Sequence, residues 1–137
     1  MDKVLVDTNI VIDLLAKRTP FYKDAQELFT LADYNKNKLF VSALTFADTH
    51  YLLSNQYKID TARKILLKFK TLVSVLPFND KVLDLALVSD FKDFEDTVQF
   101  HIAQEHNLDI IVTRNKKDFA LSSLPVLTAK EYLHKLQ

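Results

Sequence analysis

The sequence contains no glycine and no cysteine among its 137 residues, and both absences restrict what the protein can do. A Walker phosphate loop, a dinucleotide-binding fingerprint and the nucleophile elbow of α/β-hydrolases each need glycine for backbone reasons, so these enzyme classes are excluded. Without cysteine, neither a disulfide framework nor a thiolate zinc site can form. This composition fits a reducing compartment, and we expect a cytoplasmic protein.

Long hydrophobic runs and an excess of charge of one sign are also missing. The apolar runs are only a few residues long, far below the roughly 20 residues that span a bilayer, so we expect no membrane segment. The first residues do not show the basic start and apolar run of a signal peptide. Lysine plus arginine and aspartate plus glutamate number 18 each. A role in nucleic-acid binding therefore cannot be argued from net charge, and any RNA contact must use local basic patches.

Short apolar runs alternate with helical patterns along the whole chain. Five runs are typical of strands: Lys3–Val6, Leu39–Val41, Val73–Leu76, Ile110–Val112 and Pro125–Leu127. Between them, apolar residues recur at the spacing of amphipathic helices. Such alternation predicts an α/β fold, in which a parallel sheet of four to five strands is covered by helices on both faces. The length and the 48% hydrophobic content favour a single domain over residues 1–137.

Several polar residues are placed to begin these helices. Asn79 and Asp93 each precede an apolar helical pattern and can act as N-caps, and we expect Asp60 to cap the helix that follows it. Thr128 and Glu131 have the spacing of a capping box for the terminal helix. These positions give the expected starts of four helices.

Polar residues follow two of the predicted strands at their carboxyl ends. Asp7 comes directly after the first strand, and the loop Thr113–Asp118 comes after the fourth. In open parallel sheets, ligands bind outside the carboxyl ends of the strands, where the strand order reverses. Because Mg²⁺ prefers oxygen ligands, acids at these ends are candidate metal ligands. The alternative for Asp7 is a simple helix cap for residues 10–17, which Asn9 could supply as well.

Two further acids lie within predicted helices. Asp48 belongs to a mostly apolar segment, Ser42–Leu53, which we expect to be largely buried, so that Asp48 either needs a partner or a metal or faces solvent. Asp96 lies in the first turn of the helix that Asp93 begins, where the helix dipole favours an acid in any case. The histidines lack the paired helical spacing of zinc proteases, and we interpret them as surface or satisfied polar residues. They are His50, His101, His106 and His134.

Four segments together resemble the PIN-domain family, and most closely the VapC-like toxin ribonucleases of bacterial toxin–antitoxin pairs. The segments are Val4–Asn9, Ser42–Asp48, Asp93–Gln99 and Thr113–Phe119. The resemblance implies that Asp7, Asp48 and Asp96 are the catalytic carboxylates and bind the metal. It also implies supporting roles for Thr8, Asn9, Asp93, Thr113, Asn115 and Asp118.

The activity implied by the resemblance is metal-dependent cleavage of single-stranded RNA. Mg²⁺ or Mn²⁺ would activate a water molecule and stabilise charge on the scissile phosphate. Arg114, Lys116 and Lys117 lie in the last motif and could contact the RNA backbone, or they could belong to a solvated turn. The resemblance further implies a cognate antitoxin protein and a homodimer.

Two departures from the family pattern keep an alternative function open. The second motif usually carries glutamate where this chain has Asp48, and Asn115 stands where many relatives have aspartate. The alternative is a catalytically decayed PIN-fold module that binds RNA or another protein. A haloacid-dehalogenase-like phosphatase fits less well, because that chemistry needs a second aspartate where this chain has Asn9.

Overall fold

The computed structural model describes residues 1–136 and contains one five-stranded sheet. The strands are β1 (Lys3–Val6), β2 (Lys38–Ser42), β3 (Ser74–Leu76), β4 (Ile110–Val112) and β5 (Val126–Leu127). The helices are α1 (Thr8–Leu15), α2 (Tyr22–Asp33), α3 (Ala43–Leu53), α4 (Ile59–Phe69), α5 (Asp80–Leu87), α6 (Phe94–Glu105) and α7 (Ala129–Lys135). Every predicted strand is present, with bounds that differ by at most one residue. No helix in the described part of the chain is long and apolar enough to cross a membrane.

The five strands are all parallel and have the order β3-β2-β1-β4-β5. The chain adds β2 and β3 on one side of β1 and then places β4 and β5 on the other. The strand order therefore reverses between β1 and β4, and the predicted fold class is confirmed. The backbone N–H of Asp7 donates to the carbonyl of Val112 over 3.0 Å, so the chain leaves β1 directly beside the end of β4.

Alternate strand residues face opposite sides of the sheet, and each side is covered by helices. Val4 and Val6 belong to a core formed with α1, α2 and α7, whereas Leu5 belongs to a core formed with α5 and α6. Burial on both faces explains why the strands are almost continuously apolar. A third cluster joins α1 to α3 and α4; its buried residues are Ile12, Leu53, Ala62 and Leu66.

Most of the predicted helix starts are confirmed. Asn79, Asp93 and Thr128 accept hydrogen bonds from backbone N–H groups at the starts of α5, α6 and α7. The prediction for Asp60 is wrong, because the N-cap of α4 is Lys58 and Asp60 lies in the first helical turn. That turn is exposed, so its free N–H groups can be solvated without a side-chain cap, and Asp60 still benefits from the helix dipole.

Helix α3 is less buried than its composition predicts. Its buried residues form one stripe, Thr45, Thr49 and Leu53, at a spacing of four. Tyr51 is 71% exposed, and Asp48 is half-buried. The expectation of a largely buried helix was therefore wrong, because the other residues of α3 are only partly buried or are exposed.

The histidines follow the prediction only in part. His134 is exposed, and a ring nitrogen of His106 lies 3.0 Å from the carbonyl of Ile102. Both ring nitrogens of His101, and Nε2 of His50, are buried without a hydrogen-bond partner in residues 1–136. Burial lowers the pKa of His101, which favours the neutral ring that can tolerate this environment.

Candidate active site

A cleft of about 240 Å³ lies at the carboxyl ends of β1 and β4, and its walls are strongly acidic. Asp7 enters it from the end of β1. Further acids come from the start of α6 and from the loop after β4, and these are Asp93, Glu95, Asp96 and Asp118. Arg18 is a basic residue in the same lining. Five carboxylates thus share one small cleft with little positive charge to balance them.

Asp7 begins helix α1 and also forms a wall of the cleft. Its side chain is 5% exposed. One carboxylate oxygen accepts from the backbone N–H of Thr8 over 2.8 Å, and the other accepts from the hydroxyl of Thr113 over 2.8 Å. Burial raises the pKa of Asp7 despite these hydrogen bonds. Asp7 is therefore both the N-cap of α1 and a residue of the cleft lining, so the two interpretations from the sequence do not exclude each other.

Asn9 and Thr113 connect α1 to the loop after β4 and hold Asp7 between them. The Asn9 amide nitrogen lies 3.3 Å from the Thr113 hydroxyl and 3.4 Å from Asp7, and its oxygen accepts from the backbone N–H of Arg114. The Thr113 hydroxyl also accepts from the backbone N–H of Asn115 over 3.0 Å. Because Thr113 is fully buried, the carboxylate of Asp7 has little freedom to move.

Asp96 is the most strongly perturbed acid of the cleft. Burial, with only 8% of the residue exposed, is the main reason that its pKa rises to about 8. Neighbouring negative charges raise it further, in the order Asp7, Asp93, Asp118 and Glu95. The side chain of Asp93 accepts from the backbone N–H of Asp96 over 3.0 Å and so fixes the first turn of α6. At neutral pH the metal-free protein therefore keeps a proton on Asp96.

Asp48 is a neighbour of Glu95 and does not line the cleft. Glu95, in contrast, is part of the cleft lining. Burial raises the pKa of both carboxyls, and a proton shared between them lowers the pKa of Asp48 and raises that of Glu95. Oδ2 of Asp48 is buried and has no other hydrogen-bond partner in the described residues. The sequence analysis did not identify Glu95 as a cleft residue. The only sign of it in the sequence was its position between the two acids Asp93 and Asp96.

Arg114, one of the three predicted RNA contacts, has an intramolecular partner. Its guanidinium binds both carboxylate oxygens of Asp13, at 2.7 and 3.2 Å, and Asp13 is completely buried. The guanidinium also lies 4.1 Å from the ring centre of Phe21. A buried carboxylate with a paired arginine is a structural unit that joins α1 to the loop after β4. The sequence signal for it was a lone acid within an apolar helix.

The two lysines of the same loop have different environments. Lys116 forms an ion pair with Glu131, with 3.0 Å between the charged atoms. Lys117 is exposed and lines a second hollow of about 520 Å³ together with Lys92. Asp118 lines both this hollow and the acidic cleft, so the two are adjacent.

A buried network of hydroxyl and amide groups lies beneath the cleft. Ser42 and Thr45 are fully buried at the start of α3, and Gln99 of α6 is 1% exposed. The hydroxyl of Thr45 lies 2.8 Å from that of Thr8 and 2.8 Å from the amide nitrogen of Gln99. The sequence analysis named Thr8 as a supporting residue but did not identify the other three.

The donor set fits a hard divalent cation, although no metal cluster is preassembled. Within residues 1–136, no three acidic or histidine side chains converge closely enough to hold an ion. Asp7 and Asp96 nevertheless place two buried carboxylates in one cleft, and Mg²⁺ commonly binds one or two carboxylates and keeps several waters. A cation would offset both the burial of these carboxylates and the repulsion between them, which together raise the pKa of Asp96. The roles of Asp7, Asp48 and Asp96 as ligands remain predictions.

Comparisons with known proteins agree with the fold and confirm the resemblance. The sequence model described as PIN domain matches residues 3–117. The chain is 30% identical to Ribonuclease VapC1 of Aquifex aeolicus (strain VF5) over 139 residues, which cover 96% of this chain and 93% of the relative. A toxin–antitoxin complex from Klebsiella pneumoniae contains a similar chain, with 25% identity, a TM-score of 0.67 and coverage of 92% and 97%. DNA-bound VapBC from Salmonella typhimurium shares 17% identity, with a TM-score of 0.71 and coverage of 94% and 99%. The chain belongs to the PIN domain family.

Proposed function

We propose that this chain is an endoribonuclease that cleaves single-stranded RNA with Mg²⁺ or Mn²⁺ and serves as the toxin of a toxin–antitoxin pair. The observation that carries the proposal is the acidic cleft at the β1–β4 switch, where Asp7 and Asp96 are buried together. Membership of the PIN domain family and the near full-length similarity to Ribonuclease VapC1 support this activity.

In this proposal Asp7 and Asp96 bind the metal directly. When bound there, a divalent cation would supply a water of lowered pKa and would neutralise charge on the scissile phosphate. Thr113 and Asn9 orient Asp7, and Asp93 orients Asp96 by fixing the first turn of α6. Asn115 and Asp118 line the same cleft and support the site from the loop after β4.

Asp48 has a less direct place in the site. Glu95 lines the cleft and interacts with Asp48, which does not line it, so we assign Asp48 a role through Glu95 or through a water molecule. The same arrangement favours the second candidate, a decayed PIN-fold binding module, because the trio expected from the resemblance is not assembled in the described residues. Metal-dependent cleavage separates the two candidates, since a decayed module would bind RNA or protein without cutting RNA.

The RNA strand is proposed to leave the cleft over Lys117 and Lys92. These exposed side chains line the hollow that shares Asp118 with the cleft, and phosphates can be neutralised there without breaking a structural ion pair. Arg114 and Lys116 are less suited to this role, because Asp13 and Glu131 already bind them.

A cognate antitoxin is the proposed protein partner. The similar chains from Klebsiella pneumoniae and Salmonella typhimurium come from a toxin–antitoxin complex and from VapBC, and this likeness supports a partner of that kind here. The homodimer, the cytoplasmic location and the single domain over residues 1–137 stay predictions from the sequence.

The activity is tested by incubating the purified chain with single-stranded RNA in the presence of Mn²⁺, Mg²⁺ or EDTA. We expect cleavage only with a metal, and products with 5′-phosphate ends. Cleavage that persists unchanged in EDTA would contradict the metal-dependent mechanism. RNA binding without cleavage under any of the metal conditions would favour the decayed module.

A further inference from the structure

The buried network beneath the cleft joins the starts of three structural segments. Thr8 begins α1 and lines the cleft, Ser42 and Thr45 begin α3, and Gln99 lies one turn after Asp96 in α6. All but Thr8 are buried from solvent. Each hydroxyl has one proton to donate and two lone pairs to accept, so the direction of every hydrogen bond can be worked out.

Thr45 receives two hydrogen bonds and must pass its own proton to Thr8. The amide nitrogen of Gln99 can only donate, and it lies 2.8 Å from the Thr45 oxygen. The Ser42 hydroxyl donates to the same oxygen over 3.2 Å. With both lone pairs of Thr45 in use, its proton is directed to the Thr8 oxygen, 2.8 Å away.

Thr8 is therefore an acceptor on its buried side and a donor on its open side. Its oxygen accepts from Thr45 and has the Gln99 amide nitrogen at a more distant 3.5 Å. In residues 1–136 its hydroxyl has no hydrogen-bond partner beyond these two, and neither can take its proton in this arrangement. Since Thr8 lines the cleft, that proton is available to a group bound there.

The orientation of the Gln99 amide is set by which of its polar atoms reaches the two threonines. Its amide oxygen is buried without a partner in the described residues, whereas its nitrogen lies near the oxygens of Thr45 and Thr8. Turning the amide over would let the oxygen accept from Thr45, but two N–H donors would then be buried without an acceptor, which is less favourable than one unpaired oxygen. The turned amide would reverse the chain of hydrogen bonds and point the Thr8 proton inward.

We propose that Gln99 is a positioning residue that acts through Thr45 to hold the Thr8 hydroxyl as a hydrogen-bond donor to a non-bridging oxygen of the substrate phosphodiester. This inference rests on the proposed ribonuclease function. A phosphate entering this cleft meets an acidic lining that repels it, so a neutral donor on the wall offers attraction without disturbing a cation. Thr8 is poorly suited to bind the metal itself, because its lone pairs face inward.

The direction of the network can be tested without RNA or metal by NMR. In the metal-free protein, the side-chain NH₂ protons of Gln99 should exchange slowly with solvent and show cross-peaks to Thr8 and Thr45. Those of Gln104, which is exposed on the same helix, should exchange rapidly. A Gln99 NH₂ group that shows no cross-peak to either threonine would overturn the proposal.

The link to the substrate is tested by a double-mutant cycle on RNA cleavage. Thr8→Val should lower kcat/KM by about 10- to 100-fold, the effect of losing one preorganised donor, and Thr8→Ser should retain activity within about threefold. Gln99→Glu, which in its ionised form can only accept from Thr45, should match the loss of Thr8→Val at a pH where the new carboxyl is ionised, and the double variant should be no worse than either. Gln99→Met is an uncharged second variant that should give a smaller loss of kcat/KM, and this loss should also not add to that of Thr8→Val. Gln104→Glu is the matched control for the added charge and should retain activity.

Two readouts distinguish positioning from a general structural role. Mn²⁺ affinity, measured by calorimetry, should be unchanged in Thr8→Val and Gln99→Met, because the donor acts on the phosphate. Losses that multiply in the double variants, or a fall in Mn²⁺ affinity equal to the fall in activity, would overturn the proposal. A parent protein with no metal-dependent cleavage would instead refute the proposed function, while the NMR measurement would still decide the direction of the network.

Discussion

Replacing Asp96 with asparagine should stabilise the metal-free protein, and increasingly so as the pH rises. The pKa of Asp96 is about 8 in the folded state, against an ordinary value of 3.8 for an aspartate side chain. The folded state therefore binds more protons between these values, and its stability falls as pH rises from about 4 to about 8. Each pH unit in this window is worth about 1.4 kcal/mol, so the step from pH 5 to pH 7 gives an upper bound of about 2.7 kcal/mol. We expect about 1–2 kcal/mol, because the cleft is open to solvent that screens the charges.

The assay is urea unfolding of the parent and Asp96→Asn in EDTA at pH 5 and pH 7. The free energy of unfolding of the variant, relative to the parent, should increase by about 1–2 kcal/mol between the two pH values. Asp84→Asn, an exposed substitution on α5, is the matched control and should show no such change. A difference between variant and parent that is the same at both pH values would refute the assignment of a strongly raised pKa to Asp96.

Three further predictions follow from the same geometry. Mn²⁺ should raise the melting temperature of the parent, because at 100 times its Kd a ligand that binds only the folded state stabilises it by about 2.7 kcal/mol. This shift should vanish in Asp96→Asn. An equal shift in both proteins would mean that the metal binds elsewhere. Asp48→Glu should keep the rate of RNA cleavage within about tenfold of the parent, a change of about 1.4 kcal/mol in the barrier, whereas Asp48→Ala should lose far more activity. If the parent is active and Asp48→Ala cleaves RNA at the same rate, Asp48 is not part of the site. Arg114→Met should lower the free energy of unfolding by about 3–5 kcal/mol because it leaves Asp13 buried and unpaired, whereas Lys117→Glu should weaken RNA binding without lowering stability. Denaturation and RNA titrations of both variants check this last contrast, and a small stability loss in Arg114→Met would contradict it.

The sheet and the place of the cleft could be predicted from the sequence because local pattern determines them. Strands buried on both faces are continuously apolar, and Asp7 interrupts the first of them at its end. Asp93 could be predicted as the N-cap of α6 because it directly precedes an apolar helical pattern. Such signals depend on neighbours along the chain, which the sequence displays directly.

Burial of a particular helix face is harder to predict, because it depends on how the helices pack. The residues around Asp48 are apolar enough to predict a buried helix, yet only Thr45, Thr49 and Leu53 of α3 are buried. The same packing puts Glu95 in the cleft lining and leaves Asp48 outside it. Periodicity alone cannot separate these two acids, because each lies on a helix of mixed polarity.

Contacts between residues distant in the chain account for the other differences. Arg114 and Asp13 are 101 residues apart, and Gln99 and Thr45 are 54 apart. A basic residue in a polar loop gives no sign that it will pair with a buried acid. A glutamine within a helix likewise gives no sign that it will direct a hydroxyl on another helix. These pairings exist only once the sheet has brought α1, α3 and α6 together.

The most direct test of the central claim is the rate of metal-dependent RNA cleavage by Asp7→Asn, measured beside the parent and Asp84→Asn. Asp7 is fixed by Thr8 and Thr113, and its replacement removes a proposed metal ligand while keeping the shape of the side chain. We predict cleavage by the parent and Asp84→Asn in Mn²⁺, and a loss of at least about 100-fold in Asp7→Asn, equivalent to about 2.7 kcal/mol in the barrier. Cleavage by Asp7→Asn at the parental rate, in preparations free of contaminating nuclease, would contradict the assignment of this cleft as the active site.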